Sequence, residues 1–184
     1  MTTVVILDLV HCGTTMLAGC LEILGVPMVG CNYDPAKWED KEVVNALNDE
    51  SAFAWLVATK PRLWGFKYPG AWKFSQLLVA YLKDPIYLAI YKEPVSVTMR
   101  RFERVNADKL RNTIRQMEDS IDGIIKSGLP VHFLSYQVAI TEPVAFASRL
   151  ADMVGIAAPK TRLNAIERYI QPGIGYPLLS EFLR

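Results

Sequence analysis

The chain has 184 residues, close to one domain on a prior of about 150 residues each, and 1–184 is read as a single unit. Its 20 Lys and Arg against 19 Asp and Glu leave a formal charge of +1, so it lacks the basic excess that non-specific binding of nucleic acid or anionic lipid requires. A composition 51% hydrophobic and 21% charged argues for a packed core over disorder, and no apolar run nears the roughly 20 residues of a membrane span.

The N-terminus, MTTVVILDLV, has no basic stretch ahead of its apolar run and carries Asp8 inside it. Residues 4–7 therefore read as a first strand and not as a signal peptide, and the expected location is cytoplasmic. Gly13-Thr14-Thr15 bound this strand, and Met16, Leu17, Leu21 and Leu24 recur at helical spacing up to Gly25. Gly, Asn, Asp and Pro cluster over 30–35 as a loop. A single helix is expected from about 40 to 58, with Val43, Leu47, Ala54 and Leu56 turned inward. Residues 63–67 read as a second strand closed by Tyr68-Pro69-Gly70, and 72–82 return to helical periodicity. The nearly continuous apolar run 86–91, IYLAIY, suits an interior parallel strand covered on both faces. Pro94 opens a helix to about 104, and 106–127 forms another with Leu110, Ile114, Met117, Ile121 and Ile124 as its stripe. Residues 131–134 make a fourth strand, in which His132 reads as a core histidine, and Pro143 starts a helix that Gly155 caps. The Gly- and Pro-punctuated end, about 170–184, reads as loop. Strands alternating with helices predict an α/β fold, a three-layer sandwich around a central parallel sheet of at least four strands.

Cys12, Cys20 and Cys31 are odd in number and widely spaced, with only His11 and His132 beside them, which fits neither a disulfide framework nor a zinc site. Cys20 and Cys31 are expected to be small buried hydrophobes. In an open α/β sheet the ligand crevice lies at the carboxyl ends of the strands, which directs attention to the first β-to-α turn, Val10-His11-Cys12-Gly13-Thr14-Thr15. Gly13 lets backbone approach an anion, the amides at the helix start point toward it, and two threonine hydroxyls add donors. The same residues also suit a plain helix cap. No lysine follows Gly13, so the turn is not a Walker A loop, and Ala18 stands where a cysteine phosphatase needs its arginine.

The run 9–30, with His-Cys-Gly-Thr-Thr and an apolar helix ending in Leu24-Gly25-Val26, resembles the 5′-phosphosulfate loop and first helix of the sulfotransferase family. Four further segments resemble that family in order: Trp38-Glu39-Asp40 with the Asn-containing helix after it, Trp64-Gly65-Phe66-Lys67-Tyr68-Pro69, the strand-Lys-Glu-Pro-helix stretch 87–104, and the strand-Ser-Tyr stretch 131–155. Together they span about 4–156.

The resemblance implies a P-loop-like fold that uses 3′-phosphoadenosine 5′-phosphosulfate as donor, transfers sulfuryl to a hydroxyl or amine, and needs no metal. It places His11, Cys12, Gly13, Thr14 and Thr15 around the 5′-phosphosulfate, and Lys92, Ser96 and Arg100 around the 3′-phosphate. It implies catalytic roles for Lys67 at the sulfuryl group, Glu39 as base and His11 at the loop start. Here His11 and Cys12 replace the family's basic residue and serine, Lys92 replaces an arginine, and Arg100 replaces a serine. Lys67 also fits an ordinary strand end, Glu39 the first turn of the following helix, and the basic 92–104 segment a solvated face. The expected acceptor is a small molecule or carbohydrate, and a neighbouring subunit in a homo-oligomer can complete its site. Two alternatives stay open: a nucleotide-binding protein of this fold without turnover, and a small-molecule kinase, against which the missing Walker lysine counts.

Overall fold

A computed structural model describes residues 1–7, 9, 11–30 and 40–170. Four strands, β1 (Thr2–Leu7), β2 (Leu63–Lys67), β3 (Pro85–Tyr91) and β4 (Val131–Ser135), pair in parallel in the order β2-β1-β3-β4. Around them run α1 (Thr14–Leu24), α2 (Lys41–Ala46), α3 (Glu50–Thr59), α4 (Ser75–Tyr81), α5 (Pro94–Arg101), α6 (Ala107–Lys126), α7 (Tyr136–Thr141), α8 (Pro143–Val154) and α9 (Lys160–Tyr169). The expected parallel α/β sandwich is the fold observed.

Strand periodicity sorts the core into two halves. Val4 and Ile6 of β1 with Leu88 and Ile90 of β3 face α1, α8 and α9, where Leu17, Leu21, Leu150 and Ile166 meet them. Val5, Leu7, Tyr87 and Ala89 face the other way, against Phe53, Leu78, Met117 and Ile124. All four central β1 residues from Val4 to Leu7 are fully buried. Each such side chain stabilises by about 1.5–3 kcal/mol over exposure, so the two interior strands anchor the layers. On the outer edge of β2, Val29 N–H donates to the Gly65 carbonyl at 2.8 Å and Gly65 N–H to the Pro27 carbonyl at 3.0 Å. A Cβ at Gly65 would lie 2.6 Å from Met28 Sδ and 2.9 Å from the Val4 carbonyl oxygen, so glycine permits this close pairing.

Several elements differ from the sequence reading. The helix expected from 40 to 58 is two, because Asp49 adopts an extended backbone and its carboxylate accepts the Ala52 N–H at 3.1 Å, starting α3 anew. Asp40 caps α2 in the same way, accepting from Glu42 N at 2.7 Å. A 3₁₀ turn, Ala71–Phe74, precedes α4, and α5 stops at Arg101 because Phe102 is extended. Two helices, α7 and α9, were not foreseen. His132 is exposed and not a core residue, because β4 is an edge strand and packs little on either face. Cys20 is buried as expected, and burial pushes its thiol far above its ordinary range. Cys31 and the segment 171–184 lie outside the described residues. No helix among the described residues is long and apolar enough to cross a membrane.

On the β1 face that carries Val5, three buried polar atoms, Thr3 Oγ1, Trp64 Nε1 and Tyr87 Oη, have no hydrogen-bond partner among the described residues. Burial also pushes the Tyr87 phenol up to about 12. Tyr87→Phe removes a desolvated hydroxyl while keeping the ring, so urea denaturation should show stability unchanged or raised by up to about 1 kcal/mol. A loss of more than about 1 kcal/mol would show that the hydroxyl is bonded.

Candidate functional site

From β1 the chain moves to β2 on one side, then crosses back to β3 on the other. The carboxyl ends of β1 and β3 are therefore a topological switch point, where the connecting segments diverge and leave a crevice. The turn after β1 stands at this crevice. His11 at φ 58° and Gly13 at φ 103° are both left-handed, and between them Cys12 N–H donates to the Leu9 carbonyl at 2.9 Å. These two reversals bring the chain sharply from strand into α1. Gly13 occupies the N-cap position without a side chain to cap the helix, and the positive end of α1, with Thr14 and Thr15 in its first turn, stands at this turn. Cys12 and Thr14 are buried, Thr15 is half-buried and His11 is exposed.

The opposite wall follows from strand register. Tyr91 of β3 pairs with Ser135 of β4, so the next residues, Lys92 and Tyr136, leave the sheet side by side. Lys92 Nζ lies 4.5 Å from the centre of the Tyr136 ring. That ring rests against Gly13: a Cβ built there would be 2.6 Å from Tyr136 Cδ2 and 2.9 Å from Cε2. Gly13 is thus required twice, by its backbone angle and by the ring. Beside this contact opens a cavity of about 330 Å³, lined by Lys92, Glu93, Ser96, Tyr136 and Ile140 among others. Ser96 and Arg100 are four residues apart on α5 and share a face. Burial lowers the Lys92 ammonium below its ordinary range, the Arg100 charge lowers it further, and Cys12 acts in the opposite sense.

Lys67 lies across β1 from Lys92. It ends β2 in register with Ile6, which turns it to the face that α1 covers, and it is only 4% exposed. A lysine so buried is rare on a strand end.

The structure thus brings Lys92 and Ser96 into one cavity wall, sets Gly13 against the Tyr136 ring of that wall, and places Cys12 and Arg100 near enough to Lys92 to act on its charge, with Arg100 itself exposed, Thr14 and Thr15 at the start of α1 and Lys67 on the far side of β1. His11 stands at the solvent rim. Glu39 lies outside the described residues. Sequence reading passed over Tyr136 as a site residue. Its signal, an aromatic one position past the fourth strand, acquires meaning only once β3 and β4 are in register.

No protein-family model matches the chain, and no curated protein does. Solved structures do. The chain is similar to the sulfotransferase domain from the curacin biosynthetic pathway, with a TM-score of 0.58 at 14% identity over 97% of this chain and 94% of that one. It is also similar to a sulfotransferase from Alicyclobacillus acidocaldarius, with a TM-score of 0.51 at 14% identity over 85% of this chain and 82% of the other. A third, retinol dehydratase in complex with androsterone and the inactive cofactor PAP, gives 0.53 at 13% identity over 92% of this chain and 64% of its own.

Gly13 and Gly128 offer a direct comparison, because both have positive φ but a Cβ at Gly128 would meet nothing within 4 Å. Gly128→Ala should cost about 1–2 kcal/mol for the backbone alone. Gly13→Ala should cost at least about 1 kcal/mol more, since it also overlaps the Tyr136 ring. Equal losses in urea denaturation would contradict the packing of Tyr136 on this turn.

Proposed function

Taking as premise that this chain has the sulfotransferase fold, we propose that the crevice binds 3′-phosphoadenosine 5′-phosphosulfate and that 1–184 acts as one domain transferring its sulfuryl group to a hydroxyl or amine acceptor. One observation carries the reading. The β3–β4 register sets a cationic side chain, Lys92, over the Tyr136 ring while Gly13 at the start of α1 packs against the same ring, so a cation and the positive start of a helix lie on two sides of one aromatic, beside a cavity lined by Lys92 and Ser96. A nucleotide with phosphates at both ends of its ribose asks for that pairing. A structural neighbour solved with PAP supports it.

On this reading the amides of Gly13, Thr14 and Thr15 hold the 5′ end, with Cys12 packed beneath the turn and His11 at its rim. Lys92, Ser96 and Arg100 hold the 3′-phosphate. Lys92 retains the charge of an arginine but not its two-pronged geometry, and Arg100 on the same wall adds a guanidinium. In the reaction the bond from sulfur to the 5′-phosphate oxygen breaks as the acceptor oxygen or nitrogen bonds sulfur. Charge spreads over the three sulfuryl oxygens and the leaving phosphate. Lys67, on the face of the sheet that α1 covers, is the side chain assigned to neutralise it, as preorganised charge does in related transfers. Glu39 is assigned to take the acceptor's proton. The acceptor class is a small molecule or carbohydrate, and a second subunit of a homo-oligomer can help enclose it.

The exposed position of His11 favours a second reading, a nucleotide-binding protein without turnover, because an imidazole at the rim is a weaker anion partner than the lysine or arginine of the resembled loop.

With labelled donor and a panel of hydroxyl and amine acceptors, transfer should continue in the presence of a magnesium chelator. Lys67→Ala should lower it by about 10²–10³-fold, the cost of losing one transition-state charge partner, and Glu39→Gln by about 10²–10⁴-fold. Full activity in both variants would remove the catalytic assignment. Donor binding with no transfer to any acceptor would favour the second reading.

A further inference from the structure

Resting on that reading, we propose that Tyr136 is a positioning residue that aims Lys92 at the 3′-phosphate and thereby sets discrimination between 3′-phosphorylated and unphosphorylated adenine nucleotides. A lysine ammonium is a point charge on a flexible four-carbon stem, and holding it in one place costs rotamer entropy at the moment of binding. Arginine meets the same phosphate with a rigid fork. A lysine in this position gains from a partner that fixes it beforehand.

Tyr136 is built to be that partner. Its ring face attracts the Lys92 ammonium from 4.5 Å. The ring is itself held. It begins α7, where the Ser135 hydroxyl accepts the Val138 N–H at 3.3 Å. Its edge lies against Gly13, which has no side chain to push it away. The stack of Gly13 backbone, Tyr136 ring and Lys92 ammonium therefore runs from the 5′ subsite to the 3′ subsite. Of the charges that act on Lys92, Arg100 works against its ammonium form and Cys12 favours it, while Glu93 lines the same cavity.

The test is calorimetric titration of adenosine 3′,5′-bisphosphate and adenosine 5′-monophosphate, read as the dissociation constant of the monophosphate divided by that of the bisphosphate. Tyr136→Phe keeps the ring face and should preserve the ratio within about twofold. Tyr136→Leu should lower it about tenfold, mainly by weakening the bisphosphate, with the monophosphate as internal control for the 5′ subsite. Lys92→Arg placed on Tyr136→Leu should restore the ratio, since a guanidinium needs no such aim; a loss of general structure would not be repaired this way. A second measurement needs no disruptive variant. In the unliganded protein the lysine ε-methylene signal that disappears in Lys92→Arg should lie upfield from ring-current shielding, distinct from those of Lys60, Lys73 and Lys109, which also lie over aromatic rings.

If the unsubstituted protein shows no preference for the bisphosphate, the nucleotide reading itself fails. If it shows the preference but Tyr136→Leu keeps it, or Tyr136→Phe loses it, or the lysine signal lost in Lys92→Arg is not shielded, the positioning role is overturned.

Discussion

Parallel pairing of β3 with β1 on one side and β4 on the other is the constraint on which the rest of the structure depends. Side chains alternate along a strand, so a slip of one residue in β3 would exchange Leu88 and Ile90 for Tyr87 and Ala89 against α1 and empty both half-cores at once. The register that satisfies the cores also sets what happens at the strand ends. It aligns Tyr91 with Ser135, and hence Lys92 with Tyr136, beside the turn that Gly13 makes possible. Apolar packing in the middle of the sheet thus does the geometric work for a polar crevice at its edge.

The crevice concentrates positive potential without a basic protein around it. Formal net charge is only +1, yet Lys92 lies close enough to Arg100 to feel its charge and shares the Tyr136 ring with Gly13 at the positive end of α1. Half-burying Lys92 beside Arg100 works against its ammonium form, which is the electrostatic cost of keeping two like charges together. On the proposed function, an anionic ligand that pairs with both would offset that cost. The nearby ring and the left-handed Gly13 add conformational restraint to the same small volume, consistent with a site preorganised before its ligand arrives.

Much of this was legible in the sequence where a strong period met a strong breaker. β1 and α1 are separated by Gly13, α1 ends at Gly25 and α8 at Gly155, and each of these three glycines has positive φ. The continuous apolar run of β3 correctly signalled an interior strand. Other features depend on partners that one segment does not name. The apolar spacing of Val43, Leu47, Ala54 and Leu56 runs straight through the break that Asp49 makes by capping α3. His132 has apolar neighbours in sequence but sits on the sheet edge, a position decided by strand order and not by local pattern. At the site, Gly13 was legible as a loop glycine, and Lys92 through the resemblance of 87–104 to the sulfotransferase segment that holds the 3′-phosphate. The contact between them through Tyr136 was not, because it exists only after three strands are in register.

The most direct measurement of the central claim is thermal unfolding at fixed protein concentration with adenosine 3′,5′-bisphosphate, adenosine 5′-monophosphate or magnesium ATP. A ligand at 100 times its dissociation constant stabilises the folded state by about 2.7 kcal/mol, enough to read clearly. The account predicts a rise in Tm with the bisphosphate that exceeds the rise with the monophosphate and requires no magnesium. A rise with magnesium ATP and none with the bisphosphate would contradict it.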